Sequence, residues 1–182
     1  QYNYPIEYLI YDIDNDPVSF VHEFFDNEGF GLNITKPFKH IVAKEFNPDV
    51  ESINCIYGKG TKACSTDGVG LLNDLESKKI DYQNMNILVY GLGGAATSIL
   101  ETINSNKKIF ISNRTEKKSS ELIGKKNNLD KYDGEQLDLI ISCASSLDLN
   151  TLKNFEHFSL NKGGFIYDIN YSNDTNFKLK KL

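Results

Sequence analysis

Residues 86–103 read NILVYGLGGAATSILETI, a short apolar run, a glycine-rich turn and a helix-forming segment in direct succession. Ile87–Tyr90 is apolar without alternation, the pattern of a strand buried on both faces. Gly91-Leu-Gly-Gly-Ala-Ala96 fits G-x-G-x-x-A between that strand and a helix, which is the setting a dinucleotide fingerprint requires. In this reading Gly91 permits the tight turn and Gly93 lets the backbone approach a pyrophosphate. Ala96 allows the helix to lie close to the strand, and Gly94 and Ala95 complete the first turn, whose N–H groups face the phosphate charge. The bland alternative is a strand–glycine–helix turn with no ligand; the position of the motif favours the nucleotide.

The next strand narrows the choice of nucleotide. About 20 residues beyond the glycines, NAD-binding chains carry an acidic residue for the ribose 2′-hydroxyl. Here IFISN runs into Asn113-Arg114-Thr115, followed by Lys117 and Lys118. A guanidinium at this place suits a 2′-phosphate, which it grips in bidentate fashion. Asn113, Arg114, Thr115 and Lys118 are therefore candidate cofactor-binding residues, and NADP is the expected cofactor; a solvated basic helix start is the competing reading. Downstream, a helix through Lys117–Ile123, a polar loop over 124–131, and the apolar runs LDLIISCA (137–144) and GGFIYDI (163–169) continue the alternation. Buried strands alternating with helices predict a parallel sheet covered on both faces, a doubly wound α/β domain over residues 81–182.

Working back toward the N-terminus, residues 1–80 read as a separate, smaller α/β domain. EYLIYDI (7–13) is a β-rich run. Asp16-Pro17 opens an amphipathic helix with Val18, Val21, Phe24 and Phe25 at helical spacing and Gly29 as its stop. Phe30–Asn33 is a short strand. GLNITKPFKH (31–40) then breaks at Lys36-Pro37, because proline fixes φ, removes a donor and pushes its predecessor out of the helical region. A helix over Pro37–Phe46 is expected to follow. One rigid turn thus gathers the Asn33 amide, the Thr35 hydroxyl and the Lys39 ammonium. Two short β segments flank Gly58-Lys59-Gly60, and Asp67–Lys78 reads as a helix with Leu71, Leu72 and Leu75 on one face.

Composition excludes several classes. At 182 residues and 40% hydrophobic content, the chain suits a globular protein of one or two domains. Its net charge of -5 argues against nucleic acid as the main partner. No apolar run approaches the roughly 18 residues that span a bilayer, and QYNYPIEYL is not a signal peptide. The three cysteines, Cys55, Cys64 and Cys143, include no CxxC pair, and with three scattered histidines no metal site is expected. A reducing, cytoplasmic setting is the default, with a small-molecule substrate and a monomer or homodimer.

The motifs taken together resemble one family. GLNITKPFK is similar to the N-V-T-x-P-x-K motif of shikimate dehydrogenases, Glu51-Ser-Ile-Asn54-Cys to their G-A-V-N-T, and Ser65-Thr-Asp-Gly-Val-Gly70 to their N-T-D-G-x-G. GLGGAA with NRT resembles their NADP-binding pair, and the order holds from about residue 5 to about residue 175. The resemblance implies an N-terminal substrate domain followed by a Rossmann domain. The implied reaction is the reversible NADPH-dependent reduction of 3-dehydroshikimate to shikimate in aromatic amino-acid biosynthesis. By motif, Lys39 takes the place of the catalytic lysine and Asp67 that of its partner, while Thr35 and Asn54 would bind substrate hydroxyls. Tyr171, in DINYS, matches the tyrosine of the family's D-x-x-Y pattern. The chemistry agrees, since hydride arriving at a ketone carbon leaves charge on oxygen that an ammonium can stabilise and protonate. Without the family, Lys39 reads as a solvated helix lysine and Asp67 as an acid favoured by a helix N-terminus.

The departures from the pattern are specific. Residues 1–6 hold no counterpart of the family's S-x-S serines, which grip the substrate carboxylate, and no glutamine-bearing helix follows residue 175; segments missing from both ends are the expectation. Ser65 replaces the asparagine of N-T-D, Asn173 stands where a proline is usual, and Cys143-Ala-Ser-Ser-Leu147 replaces the T-P-x-G-M turn. Two further readings stay open beside the dehydrogenase: a divergent NADP-binding member with little turnover, and a dehydrogenase of the quinate/shikimate type.

Overall fold

The structure, a computed structural model, describes residues 5–113, 116–123, 128–144 and 155–169, with the backbone alone for 116–118. Its first helix, α1 (Pro17–Asp26), starts as the sequence requires. Asp16 caps it, accepting the Ser19 N–H at 3.0 Å, and Pro17 occupies the first turn, where a missing donor costs nothing. The helix ends at Asn27, and Gly29 folds back to donate to the Phe24 carbonyl at 2.9 Å. A Cβ on Gly29 would lie 2.1 Å from the Phe24 ring, so a larger residue there would have to push that ring aside.

A small antiparallel sheet follows, built from β1 (Leu32–Asn33), β2 (Cys55–Tyr57) and β3 (Lys62–Cys64) in the order β1-β2-β3, with α2 (Lys39–Phe46) between its first two strands. The β2–β3 hairpin turns through Gly58, Lys59 and Gly60, all at positive φ, which explains the two glycines. Val21, Val42, Ala43, Ile53 and Ile56 form the core between α1, α2 and this sheet.

After α3 (Asp67–Ser77) the chain enters a second, larger sheet. Its elements are β4 (Ile87–Tyr90), α4 (Gly94–Thr102), β5 (Ile109–Ser112), α5 (Glu116–Ile123), β6 (Leu129–Lys131), β7 (Leu137–Ser142) and β8 (Leu160–Asp168). The five strands run parallel in the order β6-β5-β4-β7-β8. The chain winds outward from β4 in one direction, then returns to β4's other edge, which is Rossmann-type winding with its switch point between β4 and β7. All four residues of β4 are buried. Ile87 and Val89 face Leu71 and Leu75 of α3 and Ile99 and Leu100 of α4, while Leu88 and Tyr90 face Phe155 and Phe158.

Several expectations need correction. EYLIYDI is not a strand: residues 7–13 pair with no strand among the described residues, and Ile10 is 92% exposed. β-Propensity without a partner edge to supply hydrogen bonds does not make a strand. β1 is shorter than Phe30–Asn33, with Phe30 exposed. The second helix starts at Lys39 rather than Pro37, because Phe38 N–H closes a turn onto Thr35 O and the Phe38 carbonyl accepts the first α-helical bond, from Val42. The stretch expected as loop over 124–131 contains β6, an edge strand that buries little beyond Leu129 and takes its form from pairing with β5. Finally, β8 begins at Leu160, before the expected Gly163, and is a half-exposed edge strand rather than a buried one.

Candidate active site

Lys39 stands at the first position of α2 and Asp67 at the first position of α3. A cation at a helix N-terminus is opposed by the dipole and a carboxylate is favoured, so Asp67 both suits its own helix and compensates Lys39. The Lys39 ammonium donates to Asp67 Oδ2 at 2.9 Å, with the two side chains 16% and 24% exposed. Asn54, directly before β2, donates through Nδ2 to Asp67 Oδ1 at 2.8 Å and to Thr66 Oγ1 at 3.0 Å, and its Oδ1 accepts the Thr66 N–H at 2.9 Å. Both carboxylate oxygens of Asp67 are thus engaged, one by a charge and one by an amide, and the ammonium is held in a defined place. Backbone pairing sets Asn54 itself, since its carbonyl accepts from Ile34 N–H at 2.9 Å and its N–H donates to Cys64 O at 3.1 Å. The Thr35 hydroxyl makes a long 3.4 Å contact to the Lys36 carbonyl, which belongs to the cis Lys36–Pro37 peptide.

The glycine turn closes the large sheet at its switch point. Gly91 has φ +84°, and a Cβ there would sit 2.9 Å from the Ala144 backbone nitrogen at the end of β7. A Cβ on Gly93 would meet nothing within 4 Å, so its backbone faces open space, and no side chain caps α4 among the described residues. Uncapped N–H groups beside an open backbone suit an anion such as a pyrophosphate. Ala96 is fully buried against the sheet. Asn113 Oδ1 accepts the Leu92 N–H at 3.4 Å, tying the end of β5 to the turn. Arg114, Thr115 and Tyr171 lie outside the described residues, as does the side chain of Lys118.

Sequence reasoning missed the residues that join the two sheets. Ser98 on α4, 2% exposed, accepts the Gly68 N–H at 3.1 Å. A Cβ on Gly68 would meet Thr102 Oγ1 at 2.4 Å and the Ser98 carbonyl oxygen at 2.5 Å, so α3 crosses α4 at the residue beside Asp67. Gly94 is similarly tight, with Ser52 Oγ 2.6 Å from where its Cβ would be. The glycine after Thr66-Asp67 was the available signal for this crossing; nothing local marked Ser98 or Ser52. The Cys143 thiol at the end of β7 is pushed up to about 12, chiefly by burial, then by the carboxylates of Asp168 and Asp67, with Lys36 opposing. Among the described residues, no helix is long and apolar enough to cross a membrane and no group of three His, Cys, Asp or Glu is arranged to hold a metal ion.

No family model matches the chain. It is similar to a shikimate dehydrogenase (NADP+) from Buchnera aphidicola subsp. Cinara cedri, 34% identical over 179 residues that cover 89% of this chain and 62% of the relative. A shikimate dehydrogenase (NADP+) from Clostridium botulinum is 27% identical over 192 residues, covering 93% of this chain and 72% of its own. The chain thus spans less than two thirds of the Buchnera protein and somewhat more of the clostridial one. In fold it matches the crystal structure of shikimate dehydrogenase from Aquifex aeolicus with a TM-score of 0.72 at 23% identity, over 93% of this chain and 70% of that one.

Proposed function

From a chain homologous to shikimate dehydrogenases, we propose an NADP-dependent oxidoreductase that interconverts 3-dehydroshikimate and shikimate in the cytoplasm. Residues 1–80 serve in this reading as the substrate domain and 81–182 as the cofactor domain. The observation that carries the reading is the Lys39–Asp67 ion pair, held by Asn54 and tied through Gly68 to the helix that follows the glycine turn. When bound, NADPH supplies the hydride, and NADP+ accepts it in the reverse direction. Gly91 makes the tight turn, Gly93 offers the pyrophosphate an open backbone, and Gly94, Ala95 and Ala96 form the first turn of a helix with no side-chain cap. Asn113, Arg114, Thr115 and Lys118 take the 2′-phosphate. The Lys39 ammonium stabilises the developing alkoxide and delivers the proton, and Asp67 keeps that ammonium oriented. Thr35, Asn54 and Tyr171 contact the ring hydroxyls.

Steady-state reduction of NADP+ by shikimate tests the reading, with NAD+ and quinate as comparison partners. NADPH formation that saturates in shikimate and is faster than with NAD+ or quinate is the expected result. NADP+ binding without turnover would replace the enzyme with a cofactor-binding relative, and faster turnover of quinate would change the substrate.

A further inference from the structure

Cys55 and Cys64 face each other directly across the β2–β3 ladder, and both are free and partly exposed. Facing residues in an antiparallel pair have Cα atoms about 4.5–5.5 Å apart. A disulfide accepts about 4.4–6.8 Å, so the pair can be bridged with the hairpin intact. The thiols are already neighbours: burial, and then the Cys64 sulfur beside it, hold the Cys55 thiol above its ordinary value. Each cysteine also adjoins the site. Cys55 follows Asn54 directly, and Cys64 precedes Thr66 by two residues and Asp67 by three.

We infer that Cys55 and Cys64 form a thiol–disulfide site, oxidised by a low-molecular-weight disulfide such as glutathione disulfide, and that closing it disengages Asn54 from Asp67. The Cys64 thiolate attacks one sulfur of the oxidant and expels the first glutathione thiolate. The Cys55 sulfur then attacks the mixed disulfide at Cys64 and expels the second. Two protein thiols are oxidised to one S–S bond, the oxidant is reduced to two thiols, and the two protons go to the leaving thiolates.

Bridging has a mechanical consequence. Facing Cβ atoms lie about 4.5–5.5 Å apart, whereas a disulfide draws them to about 3.8 Å. The strand ends therefore close by about an ångström where Asn54 reaches across to Thr66 and Asp67. The bonds there are already 2.8–3.0 Å long, and an N–H···O bond does not shorten below about 2.7 Å, so the closure pushes the Asn54 amide out of its place between Thr66 and Asp67. Oxidation therefore frees one oxygen of the carboxylate that orients Lys39.

The test uses the whole chain in glutathione buffers of graded ratio, quenched with an alkylating agent and mapped by mass spectrometry. The expected product has lost two hydrogens and yields a linked Cys55–Cys64 peptide, while Cys143, with its thiol near 12, stays reduced. Hydrogen exchange at the Thr66 amide should quicken by about tenfold or more, the loss of one hydrogen bond, and dithiothreitol should reverse both changes. Cys55→Ser and Cys64→Ser should show neither. Glutathione adducts without the linked peptide, a bridge between chains, or a linked peptide with unchanged Thr66 exchange would each overturn the inference. None of these readouts uses shikimate turnover, so their failure leaves the proposed activity standing; a parallel fall in turnover on oxidation rests on that reading.

Discussion

Replacing Lys39 by alanine separates catalysis from folding at this site. The ammonium sits 2.9 Å from Asp67 Oδ2, and the pair is partly open to solvent. Partly exposed pairs contribute up to about 1 kcal/mol to stability. Removing a cation from the first turn of α2 returns about 0.3–1 kcal/mol through the helix dipole. The two effects nearly cancel, so Lys39→Ala should unfold within about 1 kcal/mol of the parent chain. If Lys39 protonates the alkoxide, kcat should fall by about 10²–10⁴, the usual range for acid–base catalysis. That equals about 2.7–5.5 kcal/mol of lost transition-state stabilisation. Asp67→Asn should cost less and should not add to Lys39→Ala, because it acts through the ammonium. The assay is kcat for shikimate oxidation by NADP+, with urea unfolding of the same samples and of the double variant. A near-normal kcat in Lys39→Ala, or additive losses in the double variant, would refute the reasoning.

Gly68→Ala drives a methyl toward Thr102 Oγ1 at 2.4 Å and the Ser98 carbonyl at 2.5 Å; a loss of about 1–3 kcal/mol should appear in thermal unfolding, and an unchanged Tm would mean that the α3–α4 crossing is loose. Arg114→Ala should weaken NADP binding by about 1.5–3 kcal/mol and leave NAD binding nearly unchanged; equal losses in calorimetric titration would give the arginine a structural role. For Asp138, burial raises the carboxyl, but the Asn86 N–H, Asn161 and Lys107 together outweigh it and hold the group below its ordinary value. A carboxyl lowered by folding stabilises the protein above its unfolded pKa, about 3.9, and loses that contribution as pH falls through the folded value. Urea unfolding at pH 7 and near pH 3 should therefore show a smaller acid loss in Asp138→Asn than in the parent; parallel losses would rule out this carboxyl as a source of acid sensitivity.

What the chain's own order determined is local. The unalternating ILVY run, its glycine turn and the following helix were legible because a strand buried on both faces and a tight turn restrict residue types at each position. The start of α1 was legible for the same reason, since Asp16 and Pro17 answer to backbone donors within a few residues. The motif series also named Lys39, Asp67 and Asn54 together, although they are 28 and 13 residues apart in the two pairings that join them.

Tertiary structure decided whatever depended on a partner far along the chain. EYLIYDI has strand propensity and forms no strand, because ladder bonds come from a neighbouring edge and not from the segment. The polar Leu129–Lys131 becomes β6 because β5 offers such an edge. Ser98 looks like any helix serine until Gly68, 30 residues earlier, brings its N–H onto the hydroxyl. Cys55 and Cys64 are an unremarkable spacing in the sequence, and only the hairpin register sets them side by side next to Asn54. Such contacts arise from packing between elements, and packing leaves no periodic or capping signature in the segments it joins.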